Sequence, residues 1–368
     1  MGFWVLVVLL GLLAAGVAGG LPSPRWQGAG GGQAPTGASF AAASGGTSGA
    51  AAGGPALSAA PSTPAARIQA KGSSEAPVVV VATLFPLADL VRQVAGPAVQ
   101  VVTLLPPGAS PHTFEPSPGL LQQVAKARLL VYVGAGLDDW GAEMARSANP
   151  HLVVLEGTRV VPTLPVVAPH VGGGPGPDGA RQGPAHAGDD EHPHGGVDPH
   201  IWLDPIRMRD DLAPAVARAL AQVEPARAAE FQTNLKRLQA SLTALDADIR
   251  YQLRGLKERR FIAFHGAWQY FAARYGLEQV ASIEASPGQE PSAAWMADLV
   301  MTARKLRVHV IFAEPGFSPK AAQVLAGEIG GRVVMLDPLE LGETGRDTYQ
   351  SRMREAVATL ARALKGGR

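Results

Sequence analysis

From about residue 77 onward the chain alternates short β-branched runs with stretches of helical periodicity. PVVVVATL (77–84) opens the series and reads as a buried parallel strand. PLADLVRQVAG follows with helical spacing and a terminal glycine. VQVVTLL (99–105), RLLVYVG and HLVVLEG supply three more strands, and SPGLLQQVAKA a second helix with Ser117 as candidate cap and Pro118 in its first turn. A second unit of the same kind begins near Arg260, with RFIAF, VHVIFA and RVVML as strands and three helix-like stretches between them. Strands alternating with helices predict α/β units with mainly parallel sheets.

Between the units the apolar positions are Phe231, Leu235, Leu238, Leu242, Leu245, Ile249, Leu253 and Leu256. Steps of three and four trace one helix face. A helix over roughly 30 residues spans about 45 Å, enough to brace two lobes on one rigid spine. The expected fold class is therefore α/β: two lobes joined by one long helix.

Ahead of these units the pattern disappears. Residues 3–18 are continuously apolar, shorter than a membrane span, and end in the small-residue stretch Gly16-Val17-Ala18. They read as an export signal cleaved before Gly19, or as a retained anchor; no Lys or Arg precedes Arg25. Residues 19–75 are dominated by Gly, Ala, Ser and Pro and are expected to form a flexible tether. The expected organisation is signal or anchor at 1–18, tether at 19–75, first lobe at 76–205 with a histidine-rich mobile loop at 169–197, a helical region at 206–258, and second lobe at 259–368.

Charge narrows the function. Lys plus Arg number 32 against 31 Asp plus Glu, so no basic field favours nucleic acid. Cysteine is absent, which excludes disulfides, thiolate metal sites, a cysteine nucleophile and lipid attachment through an N-terminal cysteine. A metal site must use histidine and carboxylate.

The nine histidines sort by surroundings. His112 lies past the carboxyl end of a strand, on a loop stiffened by four prolines between 106 and 116. His200 sits in DPHIWLDP, where Asp198 and Asp204 are candidates to hold its second ring nitrogen. His265 and Asp337 each follow a strand of the second unit. Ligand sites in open α/β sheets gather at such carboxyl ends. Glu115 and Glu314 are further candidates for the layer behind the ligands. His151 and His309 begin or interrupt strands and read as structural. His170, His186, His192 and His194 lie in a Gly/Pro/Asp-rich stretch without periodicity, which binds metal loosely by composition.

ATLFPLADL, PPGASPHTFEPSP, DPHIWLDP, FHGAWQYFAARYGL, EPSAAWMADLV, VIFAEPGFSPKAA, VVMLDPL and DTYQSRMREAVATL occur in this order. Through them the chain resembles the cluster A-I solute-binding proteins, the metal receptors of ABC importers for zinc and manganese. The likeness covers about residues 77–365. It implies a metal cleft between the lobes, with His112, His200, His265 and Asp337 as ligands. It also implies a monomer that delivers its ion to a membrane permease, and through it serves the ATPase. Nothing in it calls for catalysis or an organic ligand. The third ligand position carries His in zinc members and Glu in manganese members; here it is His265. Imidazole suits zinc, whereas manganese prefers carboxylate oxygen. The expectation is extracytoplasmic capture of Zn²⁺. The competing readings are a manganese or iron receptor of the same family, a zinc hydrolase using the HPH of His192 and His194, and a surface adhesin.

Overall fold

A computed structural model of the chain describes residues 77–166, 196–284 and 288–366. The signal or anchor, the tether, and His170, His186, His192 and His194 lie outside these residues. Among the described residues no helix is long and apolar enough to cross a membrane.

The first half runs β1 (Val78–Ala82), α1 (Phe85–Ala95), β2 (Val99–Thr103), α2 (Pro118–Lys126), β3 (Leu129–Tyr132), α3 (Asp139–Ala148), β4 (Val153–Glu156) and a single turn, α4 (Gly157–Val160). All pairings are parallel, in the order β2-β1-β3-β4. VVVVA forms a central strand because β-branched side chains suit a pleat covered on both faces. Helix α1 has Pro86 in its first turn and ends at Gly96, whose φ of 73° is in the region that favours glycine. Ser117 occupies the cap position of α2, but its side chain makes no capping hydrogen bond.

A 3₁₀ turn (Ile201–Leu203) leads into α5 (Pro205–Arg207), a π-helical turn (Met208–Leu212) and α6 (Ala213–Val223). After another 3₁₀ turn comes the spine, α7 (Ala228–Gln252). At 25 residues it is shorter than the apolar stripe, because the chain leaves the helix near Leu253 and turns at Gly255, φ 67°. All eight stripe positions are nonetheless buried, each stabilising the fold by roughly 1.5–3 kcal/mol relative to exposure.

The second half repeats the plan: β5 (Arg260–Ala263), α8 (Gln269–Tyr275), β6 (Glu278–Ser282), α9 (Ala293–Leu306), β7 (Val310–Ala313), α10 (Lys320–Ile329) and β8 (Arg332–Met335), in the order β6-β5-β7-β8, again parallel. The closing helix α11 (Tyr349–Lys365) starts with a capping box between Thr348 and Ser351. It packs back on α7 and α1. One apolar core runs through both halves, joining Val80 and Leu129 of the first sheet to the α7 stripe, Phe261, Phe312 and Val357. In each sheet the strand order reverses between the first and third strands, which is where such sheets bind ligands.

Candidate metal centre

The loops after β2, β5 and β8 converge with the segment before α5. They bring His112, His200, His265 and Glu340 together, each offering one donor atom, with those atoms all within 4.8 Å of one another. His200 Nε2 lies 3.3 Å from His112 Nε2 and 3.1 Å from His265 Nε2. A tetrahedral zinc shell with Zn–N of about 2.0–2.1 Å has neighbouring donors about 3.3–3.4 Å apart. The two separations from His200 Nε2 are close to that spacing.

Each histidine of the cluster has a local cause for its position. His112 rides the proline-rich loop, with its backbone N–H directed at Ser110 Oγ, 3.4 Å away. His200 Nδ1 lies 2.7 Å from Asp198 Oδ1, which also accepts the His200 backbone N–H at 2.9 Å. His265 follows β5, and both oxygens of Glu314, which follows β7, lie 2.8 Å from its Nδ1. Asp198 and Glu314 thereby turn both Nε2 atoms toward the common centre and fix their tautomers. Gln279 on β6 clasps the turn between His265 and α8, donating to His265 O at 2.9 Å and accepting from Trp268 N at 3.0 Å.

Asp337 is not in the cluster. Its Oδ2 pairs with Arg352 of α11 at 2.6 Å, and its Oδ1 accepts the backbone N–H of Glu340 at 3.1 Å. It shapes the turn that presents Glu340 and is itself drawn away by a cation on another element. Asp204 does not hold His200 either. It caps α5 through Ile206 N at 2.9 Å and takes a forked ion pair from Arg274 at 2.9 and 2.7 Å. Glu115 is exposed at the mouth of the cleft and makes no hydrogen bond to a histidine of the cluster among the described residues. His151 and His309 stay outside the cluster. The sequence reading missed Glu340, for which periodicity offered no signal beyond an acidic residue three positions after Asp337.

A cleft of about 340 Å³ reaches the cluster at Glu340 and is lined by Thr113, Glu115, Glu314, Phe317 and Asp337 among others. Its carboxylates suit a cation. Burial drives His112 down to about 2, and the neighbouring His265 and His200 add to this. Burial also lowers His200, partly offset by Asp198. Burial pushes His265 down as well, but Glu314, Glu340 and Glu284 outweigh it and hold the ring up at about 9. Burial raises Glu340 to about 8 against the opposing pull of His265. Both shifts favour the protonated forms of His265 and Glu340 in the metal-free centre. The Nε2 atoms of His265 and His200 face each other across 3.1 Å, where a shared cation fits.

The sequence profile of the family described as zinc-uptake complex component A, periplasmic (ZnuA), matches residues 80–363. A putative metal-binding protein of Treponema pallidum (strain Nichols) is 29% identical over 287 residues, 77% of this chain and 86% of that one. The zinc-binding protein AdcA of Streptococcus pyogenes serotype M1 is 30% identical over 304 residues, 81% of this chain. The chain spans only 57% of that longer relative. A zinc-bound deletion mutant of ZnuA superposes with a TM-score of 0.65 at 28% identity, covering 80% of this chain and 100% of that one. Two parallel sheets on one spine, converging imidazoles and a profile match across nearly all of the described chain agree: the protein belongs to the ZnuA family of metal-binding solute-binding proteins of ABC importers.

Proposed function

We propose that the protein captures Zn²⁺ outside the cytoplasmic membrane and hands it to the permease of a zinc ABC importer. One observation carries this reading: three ring nitrogens and one carboxylate oxygen lie within 4.8 Å of one another, and two of the N–N separations, 3.3 and 3.1 Å, are close to those of a tetrahedral shell. Imidazole-rich, four-coordinate sites favour zinc over manganese, which prefers more oxygen donors. His112, His200, His265 and Glu340 would be the ligands. Four protein donors leave no open position for a reactive water, which argues for a carrier and against a zinc hydrolase.

Two protons leave as the ion enters, so the site gains a metal without gaining the full charge of the ion. The ligands come from both halves of the molecule, and separating the halves breaks the shell. Release by an engaged permease requires only a small tilt or loop movement, since the spine resists a wide swing. The apolar segment at 3–18 supports export, and the histidines of the 169–197 stretch support a weak reservoir of the same ion.

The test is metal content and competitive titration of protein purified without added metal, wild type beside His265→Ala. The expected result is one tightly held zinc that manganese does not displace, lost in the variant. Preferential manganese binding, or undiminished zinc binding in His265→Ala, would refute it.

A further inference from the structure

His200 belongs to the chain of the first half, yet its segment is anchored by α8 of the second. Tyr270 is 1% exposed. Its hydroxyl accepts the backbone N–H of Leu164 at 2.9 Å and donates to the carbonyl of Asp198 at 2.8 Å. Asp198 N donates back to Leu164 O at 2.9 Å, closing a ring of three hydrogen bonds. Beside it, Gln269 donates to Pro165 O at 3.0 Å.

This ring governs Asp198 for a specific reason. One oxygen of its carboxylate is committed to His200, and the other, Oδ2, is buried without a hydrogen-bonding partner among the described residues. No other side chain among them steers the carboxylate, so its position is inherited from the backbone that Tyr270 holds. The same tyrosine stands five residues after His265 in the chain.

We propose that Tyr270 is a positioning residue for the metal: by tying the Asp198 carbonyl to α8 it sets the separation of His200 from His265. The proposal rests on the zinc centre described above. Metal–ligand distances tolerate deviations of about 0.2 Å, so even a slight relaxation of this anchor loosens the shell.

The experiment compares Tyr270→Phe with Tyr275→Phe. Tyr275 lies on the same helix, and its hydroxyl donates to Asp246 of α7 at 3.0 Å rather than to a ligand-bearing segment. Zinc loss to excess chelator and the visible spectrum of the Co²⁺ form are recorded for each, with thermal unfolding of the metal-free proteins. Both variants should unfold at somewhat lower temperature. Only Tyr270→Phe should release zinc faster, by about tenfold or more, as for other groups that orient metal ligands, and only it should change the Co²⁺ bands. Asp198→Asn should act in the same direction, and the double variant should be less than additive because both act through one imidazole. Wild-type release from Tyr270→Phe, equal acceleration in both tyrosine variants, or strict additivity overturns the proposal. A wild-type protein that takes up no zinc fails at the centre itself, a result distinct from these.

Discussion

Replacing Gly342 with alanine puts a methyl group where there is no room for one. A Cβ built there falls 2.0 Å from a ring carbon of Phe85. Ordinary carbon contacts are about 3.5–4.0 Å, so ring or loop must retreat by roughly 1.5 Å. Phe85 opens α1, is 2% exposed, and has little freedom to move. The loop is held to the same helix by Arg92, which donates to Thr344 Oγ1 at 2.8 Å, and by Asp89, which accepts Tyr349 N at 2.7 Å. Glu340, a proposed ligand, lies two residues from the clash, and metal–ligand distances tolerate a shift of about 0.2 Å. The displacement needed exceeds that several times over. Overpacking of this kind costs about 1–3 kcal/mol of stability, and a displaced carboxylate should weaken zinc binding by more than tenfold. Chelator competition reads the affinity, and thermal unfolding with and without zinc reads the stability. Phe85→Leu in the same chain should restore part of both by making space. Unchanged zinc affinity in Gly342→Ala, or no relief from Phe85→Leu, would refute the link between this contact and Glu340.

Glu340→Ala should reduce zinc affinity far more than Asp337→Asn, which breaks the pair with Arg352 but removes no member of the cluster; the reverse order in a titration would make Asp337 the ligand. Glu314→Gln should cost about 10–100-fold in affinity by loosening the His265 ring, and calorimetry showing no change would contradict that role. Zinc affinity should climb by about tenfold per pH unit for each proton displaced, giving one to two decades per unit between pH 6 and 8. A flat profile would contradict the protonation of His265 and Glu340. The metal-free fold should lose stability over the same rise. His265, ordinarily 6.5 and held at about 9, contributes fully below 6.5 and ceases as pH passes 9. Glu340, ordinarily 4.5 and raised to about 8, contributes fully below 4.5 and ceases as pH passes 8. His265→Ala should therefore flatten a plot of unfolding temperature against pH.

The sequence by itself determined the architecture of α/β units and spine, because β-branched runs and a three-four apolar spacing are local consequences of what each element must bury. Periodicity reached β1 to β5, β7 and β8 and the face of α7. It did not reach β6, an edge strand whose EQVAS carries too few apolar residues to stand out, or α3, whose DWGAEMARSA lacks a clear stripe. Three of the four converging side chains were also legible, since His112 and His265 follow strands and His200 sits in DPHIWLDP between two aspartates. The fourth was not. Asp337 and Glu340 follow the same strand three residues apart, and nothing local separates them. Tertiary structure alone chose: Arg352 arrives from α11 to claim Asp337, while Phe85 arrives from α1 to fix the loop at Gly342 and leave Glu340 facing the imidazoles. A carboxylate goes to the cation nearest in space, and that proximity is set by packing between elements far apart in the chain.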